Sequence, residues 1–250
     1  MRTVLNTRAV FFFYMNAVVD FGNTRVKIGY FDGLVLQRSV RISYADRPLN
    51  ISDFEGVEHV LLSSVLENTP EVGSLLKNTS VMLVLDRNTP LPIGNTYESK
   101  QTLGYDRIAA AAGAFQLFPY QKTLIIDLGT AAKYDFINEK GEFEGGMIAP
   151  GRSMRFKALH TFTGKLPLLD STAKPLLIGK STSACIESGV INGMFAEING
   201  IIEEYSKLGE IQVIITGGDA VHFESQLKYP TFAAPNLILE GLNSILRYNV

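Results

Sequence analysis

Short apolar runs alternate with polar, glycine-bearing turns along this 250-residue chain, and one arrangement of them occurs twice. Val18-Val19-Asp20-Phe21-Gly22-Asn23-Thr24 has a partner in Ile125-Ile126-Asp127-Leu128-Gly129-Thr130-Ala131. Each copy reads as apolar strand, aspartate, apolar residue, glycine, then small polar residues. Each turn leads into a second run, Val26–Phe31 or Tyr134–Ile137, then a polar turn, Asp32-Gly33 or Asn138–Gly141. A third run follows, Leu34–Ile42 or Glu142–Ile148, so each half predicts a three-stranded meander. Continuous apolar runs come later, at His59–Val65, Val81–Asp86 and Ile211–Gly217. Runs of that kind suit parallel strands covered on both faces. Helix is predicted over Thr69–Asn78, Arg107–Phe118, Thr182–Lys207 and Leu237–Tyr248.

The pattern therefore predicts two similar α/β units with mixed sheets. Pro90, Pro92, Gly94 and Gly104 mark the division. The expected units are residues 16–104 and 105–250. Residues 1–15 carry an apolar cluster, Val10–Met15, that is too short to span a bilayer. The strand pattern starts directly after it, so this stretch reads as an extension outside the core with Met15 as the native start; the alternative is a weak signal peptide.

Composition narrows the function classes. Hydrophobic residues make up 46% and charged residues 19%, with a formal net charge of −2. Such a chain is an ordinary globular protein with no cationic excess for a phosphate backbone, so neither nucleic acid nor membrane is an expected partner. A single cysteine, Cys185, permits no intrachain disulfide and no cysteine-rich zinc site, and fits a cytoplasmic setting. It is expected to be a small buried hydrophobe. His59, His160 and His222 show no ligand spacing and are expected to be structural or at the surface.

The paired turns point to phosphate chemistry. A tight glycine turn exposes backbone N–H groups that form an anion-binding nest. Asn23, Thr24 and Thr130 add short hydrogen-bonding groups. Asp20 and Asp127 cannot bind phosphate directly, so their natural role is to hold a cation or water that bridges to it. Thr216-Gly217-Gly218-Asp219, between a strand and a helical stretch, adds a third place where backbone could approach a ligand.

Two such turns with a late Gly-Gly resemble the actin-like ATPase and sugar-kinase superfamily. That resemblance implies a duplicated ribonuclease-H-like α/β fold with ATP in the interdomain cleft. Within it, Asp20-Phe21-Gly22-Asn23-Thr24-Arg25-Val26-Lys27, Tyr97 with Leu103-Gly104-Tyr105-Asp106-Arg107, the glycine-rich turn Gly145–Gly151, and Gly179-Lys180-Ser181-Thr182 together resemble the type III pantothenate kinases. The resemblance implies ATP-dependent phosphorylation of pantothenate, the first step of coenzyme A biosynthesis, by a homodimer. It implies Asp106 as general base, and Tyr97, Gly104, Tyr105, Asp106 and Arg107 as the pantothenate site. Thr182 would come from a neighbouring subunit. Asp20, Phe21, Gly22, Asn23, Thr24, Arg25, Val26, Lys27 and Thr130 would contact ATP, which arrives with Mg2+. Asp127 would hold a monovalent cation, K+ or NH4+.

Independently of the family, the planar fork of Arg107 suits a substrate carboxylate. Asp106 also reads as an ordinary helix N-cap, and Lys27 reads equally as an exposed strand residue. The sequence departs from the family at Lys100, where a proline is usual, and at Ala132 and Lys133, where two threonines are usual. Lys133 either replaces a phosphate contact, weakens the cation site, or points outward. Two other functions compete: a non-catalytic ATP-binding regulator on the same scaffold, and a different small-molecule phosphotransferase.

Overall fold

A computed structural model describes residues 15–22, 25–43, 45, 49–64 and 81–250. Strand β1 (Met15–Phe21) pairs antiparallel with β2 (Arg25–Asp32), and β2 with β3 (Val35–Ser43). On the other side of β1 lie β4 (Val57–Ser64) and then β5 (Val81–Val84), both parallel. A two-residue strand, β6 (Gly94–Asn95), forms the edge of the second sheet. That sheet then repeats the first. Strands β7 (Thr123–Leu128), β8 (Ala131–Ile137) and β9 (Glu142–Pro150) form a meander, and β10 (Gln212–Thr216) and β11 (Phe232–Ala233) add parallel to β7. The orders β3-β2-β1-β4-β5 and β9-β8-β7-β10-β11 trace the same path. The duplicated mixed-sheet fold expected from the sequence is the fold observed.

Alternation along each strand divides the side chains between two layers. On the first sheet Ala17, Val19, Phe21, Val26 and Ile28 form an outer core, while Val18, Phe31 and Leu61 face inward. On the second sheet Leu124, Ile126, Leu128 and Tyr134 face outward, and Ile125, Ile137 and Ile214 inward. The inner layer is one hydrophobic cluster built from both sheets and two helices.

Those helices are α1 (Tyr105–Leu117) and, from the far end of the chain, the C-terminal helix over Leu237–Tyr248. Between them come α2 (Arg152–Thr161), α3 (Thr182–Ser206) and α4 (Ala220–Phe223), so the last is α5. Helix α5 lies against β1, β2 and β4, and α1 against β7, β8 and β4. The run Ala109–Ala114 and two glycines let the helices touch: a Cβ on Gly241 would overlap the Ala109 carbonyl, and one on Gly113 would stand 2.5 Å from the Leu237 carbonyl oxygen. Polar groups fix the position of α5. Buried Asn243 donates to the Gly33 carbonyl at 2.9 Å and accepts from Asn16 Nδ2 at 3.3 Å. Asn16 Oδ1 lies 3.1 Å from His59 Nδ1, which gives that histidine a structural part.

Some expectations change. Gly145–Gly151 is not a turn: most of it is strand β9, with a register shift opposite Phe136/Ile137 and Gly145 at φ 113°. Cys185 is exposed on the first turns of α3, not buried, because the apolar face of that helix runs through Ile186, Val190 and Ile191 instead. Helix α2 was not predicted; its mixed charge hides the buried Phe156. The helix expected over residues 69–78, the extension at 1–14, and Asn23, Thr24 and Val65 lie outside the described residues. Among the described residues no helix is long and apolar enough to cross a membrane.

Candidate active site

Three aspartates from three elements face the same inner side of the sheets. Asp20 and Asp127 are the penultimate residues of β1 and β7, and Asp106 lies in the first turn of α1. Alternation aims Asp20 the same way as Val18, and Asp127 the same way as Ile125, so both point toward the helix layer. Asp20 is 6% exposed and Asp127 7%. Burial pushes the Asp20 carboxyl up to about 6; Lys27 and Lys133 oppose the rise, and Asp106 and Asp127 add to it. Asp20 therefore lies within electrostatic reach of Lys133 and Asp127 on the second sheet and of Asp106 on α1.

Each aspartate has a lysine directly across its hairpin. Asp20 is registered with Lys27, and Asp127 with Lys133. The Lys133 ammonium stands 2.6 Å from Asp106 Oδ2 and 2.7 Å from Asp127 Oδ2. Burial works against its charge, but Asp127 and Asp106 outweigh that and hold Lys133 above the ordinary lysine range. The outward reading of Lys133 is thereby overturned: it shares the inward face of β8 with Asp135. Asp106 is not an N-cap either. Gly104 holds that position, and Asp106 Oδ1 accepts from the N–H of Arg107 at 2.9 Å.

The neighbouring residues form a second group. Arg107 is 6% exposed and gives its Nε, at 2.9 Å, and its Nη2 to the carboxylate of Asp135. Burial lowers the affinity of Arg107 for its proton, but Asp135 more than compensates and raises it. The fork offered to a substrate carboxylate is thus already engaged within the protein. The guanidinium also lies 5.4 Å from the Tyr97 ring centroid and 5.5 Å from that of Phe143. Gly145 leaves room for the Tyr97 ring, which comes within 3.1 Å of where a Cβ would stand. Arg87 covers the ring of Tyr105 at 4.3 Å.

Other expected residues are placed differently. Phe21 and Val26 bury their side chains in the outer core of the first sheet, leaving only backbone for a ligand. Thr130 is exposed at the tip of its turn. Thr182 opens α3, where Ser181 is the N-cap, its hydroxyl accepting from the Ala184 N–H at 3.2 Å. Thr182 lines a separate hollow with Leu159, Leu166, Gly179 and Ile186.

The late Gly-Gly segment joins the second hairpin. Gly217 has φ 94°, and a Cβ there would stand 2.5 Å from the Leu128 carbonyl and 2.6 Å from Asp127 Oδ1. The Asp219 N–H donates to the Leu128 carbonyl at 2.9 Å. Ser63, registered beside Asp20, is 1% exposed, and its hydroxyl has no partner among the described residues. It was missed in the sequence, although two serines inside an apolar strand were a visible signal. Asp135 was missed as well.

Residues 17–204 match the family model for type III pantothenate kinase. A type III pantothenate kinase from Cytophaga hutchinsonii is 48% identical over 237 residues, covering 94% of this chain and all of the relative. This chain belongs to the type III pantothenate kinase family. Solved structures agree on the fold. A protein from Campylobacter jejuni described as a Baf family transcriptional activator matches with TM-score 0.60 at 22% identity, covering 93% of this chain and 98% of that one. A ROK family glucokinase from Streptomyces griseus matches at TM-score 0.50 and 11% identity, over 94% and 99% of the two chains. As a type III pantothenate kinase, the chain is an ATP-dependent phosphotransferase.

The monovalent cation expected at Asp127 does not fit this pantothenate kinase. A cation on that carboxylate would stand near the Lys133 ammonium, and two like charges about 4 Å apart repel by about 4 kcal/mol at an effective dielectric of about 20. Among the described residues no group of three or more histidine, cysteine or acidic side chains is arranged to hold a metal ion.

Proposed function

We propose that this enzyme transfers the γ-phosphoryl group of ATP to the primary hydroxyl of pantothenate, giving phosphopantothenate and ADP at the start of coenzyme A biosynthesis. The observation that carries the reading is the convergence of Asp20, Asp127 and Asp106 on one face, from two duplicated hairpins and the helix between them. The β7–β8 turn would offer the Thr130 N–H to the polyphosphate, those of Gly22 and Gly129 being engaged within their own turns. Asp20 would hold the magnesium that arrives with ATP, with the Ser63 hydroxyl beside it. Asp106 orients the acceptor hydroxyl and takes its proton as the new O–P bond forms and the bond to the β-phosphate oxygen breaks. Such transfer needs little covalent chemistry from the protein, so placement and charge dominate. Tyr97 and Tyr105 border the acceptor. Arg107, locked on Asp135, acts chiefly by holding Tyr97.

A cytoplasmic homodimer completes the proposal. The segment after α2 carries Phe162, Leu176, Leu177 and Ile178 at 86, 83, 79 and 75% exposure, beside the hollow that holds Thr182. An apolar stretch of that kind suits a second copy, which would bring Thr182 to its partner's acceptor site. Residues 16–104 and 105–250 would act as the two lobes, with α5 crossing back to the first. The test is ADP release from ATP with and without pantothenate. Pantothenate-dependent release supports the kinase. Release without it, or with another hydroxy acid alone, supports a different phosphotransferase, and no release supports a regulator.

A further inference from the structure

We infer that Lys133 is a built-in monovalent cation: its ammonium, clasped between Asp106 and Asp127, supplies the positive charge of the transfer site, and this enzyme works without added potassium or ammonium. The inference rests on the phosphotransferase reading for its catalytic half and on geometry for the rest. Nζ stands 2.6 Å and 2.7 Å from two carboxylates that come from different elements. The Lys133 side chain is 15% exposed and that of Asp127 9%, so solvent screens the contact poorly. The strand register fixes the arrangement, because Lys133 is the direct cross-strand partner of Asp127. Rotating away would leave Asp127 buried and unpaired.

The charges around the site account for the lysine. Asp135 is matched by Arg107. Asp20 has Lys27 across its hairpin. Asp106 and Asp127 share Lys133, and without it two carboxylates would face an incoming polyphosphate uncompensated. Two of the three ammonium N–H donors are used, and the third has no partner among the described residues. It is free to meet a phosphate oxygen, which a tethered ammonium does as a point charge. A diffusing cation would have to be captured from solution. Lys133 is held by its own strand.

The test uses the purified full chain at constant ionic strength. ADP release with pantothenate is measured in N-methylglucamine chloride, then with KCl, NaCl or NH4Cl in its place. Wild type is expected to change by no more than about twofold, since screening is held fixed. Lys133→Ala, which opens a space of ammonium size, should fall about 100-fold and regain at least about tenfold with NH4+ or K+, as expected for a removed electrostatic group. Lys133→Met, which fills the space without charge, should stay low in every salt. Alongside, calorimetric titration with ADP reads binding alone. The wild-type dissociation constant should be indifferent to K+, and that of Lys133→Ala should tighten with it.

Activation of wild type by K+ of more than about tenfold would overturn the inference while leaving the kinase standing. So would full activity of Lys133→Ala in N-methylglucamine. Should pantothenate give no ADP release in any salt, the kinase reading falls, and the wild-type ADP titration still decides the matter: salt-indifferent affinity supports Lys133, and potassium-dependent affinity refutes it.

Discussion

The two aspartate hairpins share a plan and differ in how tightly they are held. In the β1–β2 hairpin the Gly22 N–H donates to the Arg25 carbonyl at 3.1 Å; in β7–β8 the Gly129 N–H donates to that of Ala131, also at 3.1 Å, so the second turn is one residue shorter. Gly151 and Gly217 press their backbones against the second turn so closely that neither has room for a Cβ. Gly22 has a looser approach among the described residues, where a Cβ would stand 3.2 Å from the Arg25 carbonyl oxygen. The electrostatics differ in the same direction. Asp127 has an ion pair with Lys133 at 2.7 Å, whereas Asp20 is left under-compensated, its carboxyl pushed up to about 6 by burial. The fold presents the same hairpin twice, and among the described residues it is the second that neighbouring backbone clamps.

Four measurements would break or sharpen that contrast. The largest effect falls where both hairpins converge. Asp106→Asn removes the proton acceptor and should cut kcat by about a thousandfold or more while ADP binds nearly as before. Turnover near wild type would take Asp106 out of its role. Next comes the difference in clamping. Gly217→Ala meets both a backbone clash and a left-handed φ and should cost about 2–4 kcal/mol in urea unfolding. Gly22→Ala, with a milder 3.2 Å approach to the Arg25 carbonyl and no left-handed φ, should cost about 1 kcal/mol or less. Equal costs would erase the distinction between the hairpins.

The third test concerns charge. The folded Asp20 carboxyl binds its proton more tightly than the unfolded one, so its ionised form subtracts from stability above pH 6. That cost amounts to roughly 3 kcal/mol from a rise of about two pH units. It disappears as pH falls from about 6 toward the ordinary value of 3.8. Asp20→Asn should therefore raise Tm at pH 8, with the gain shrinking toward pH 4, although it should also impair ATP use. A gain independent of pH would place the cause elsewhere.

The mildest test touches α3, which covers the outer face of the second sheet. Ser181→Ala should cost about 1 kcal/mol as a lost N-cap. Thr182→Ala should leave Tm almost unchanged and raise the KM for pantothenate. A fall in Tm with KM intact would make Thr182 structural only.

Much of this fold could be read from the chain because its strands carry strong local signals. Val18–Val19 and Ile125–Ile126 before Asp-x-Gly gave both hairpins, and the meanders followed from turns such as Asn138–Gly141, where Asn138 Oδ1 accepts the N–H groups of Lys140 and Glu142. What could not be read was set by distant partners. Strands β6 and β11 are two residues each, too short for a period, and exist only because β9 and β10 offer free edges. The charged side chains of Lys133 and Asp135 fit inward or outward equally well until α1 brings Asp106 and Arg107 over them. The buried Arg107–Asp135 pair was hidden for the same reason: two residues far apart in sequence explain each other only after folding.

The helix that covers the first sheet is encoded after every strand of that sheet. On a ribosome adding about 5–20 residues each second, strands β1 to β5 emerge many seconds before α5 does. Until then the inward faces of Val18, Phe31 and Leu61 lack the cover that Leu239 and Leu242 later provide. Part of the cover of the first lobe thus arrives long after its strands, and loss of α5 would injure the opposite end of the molecule.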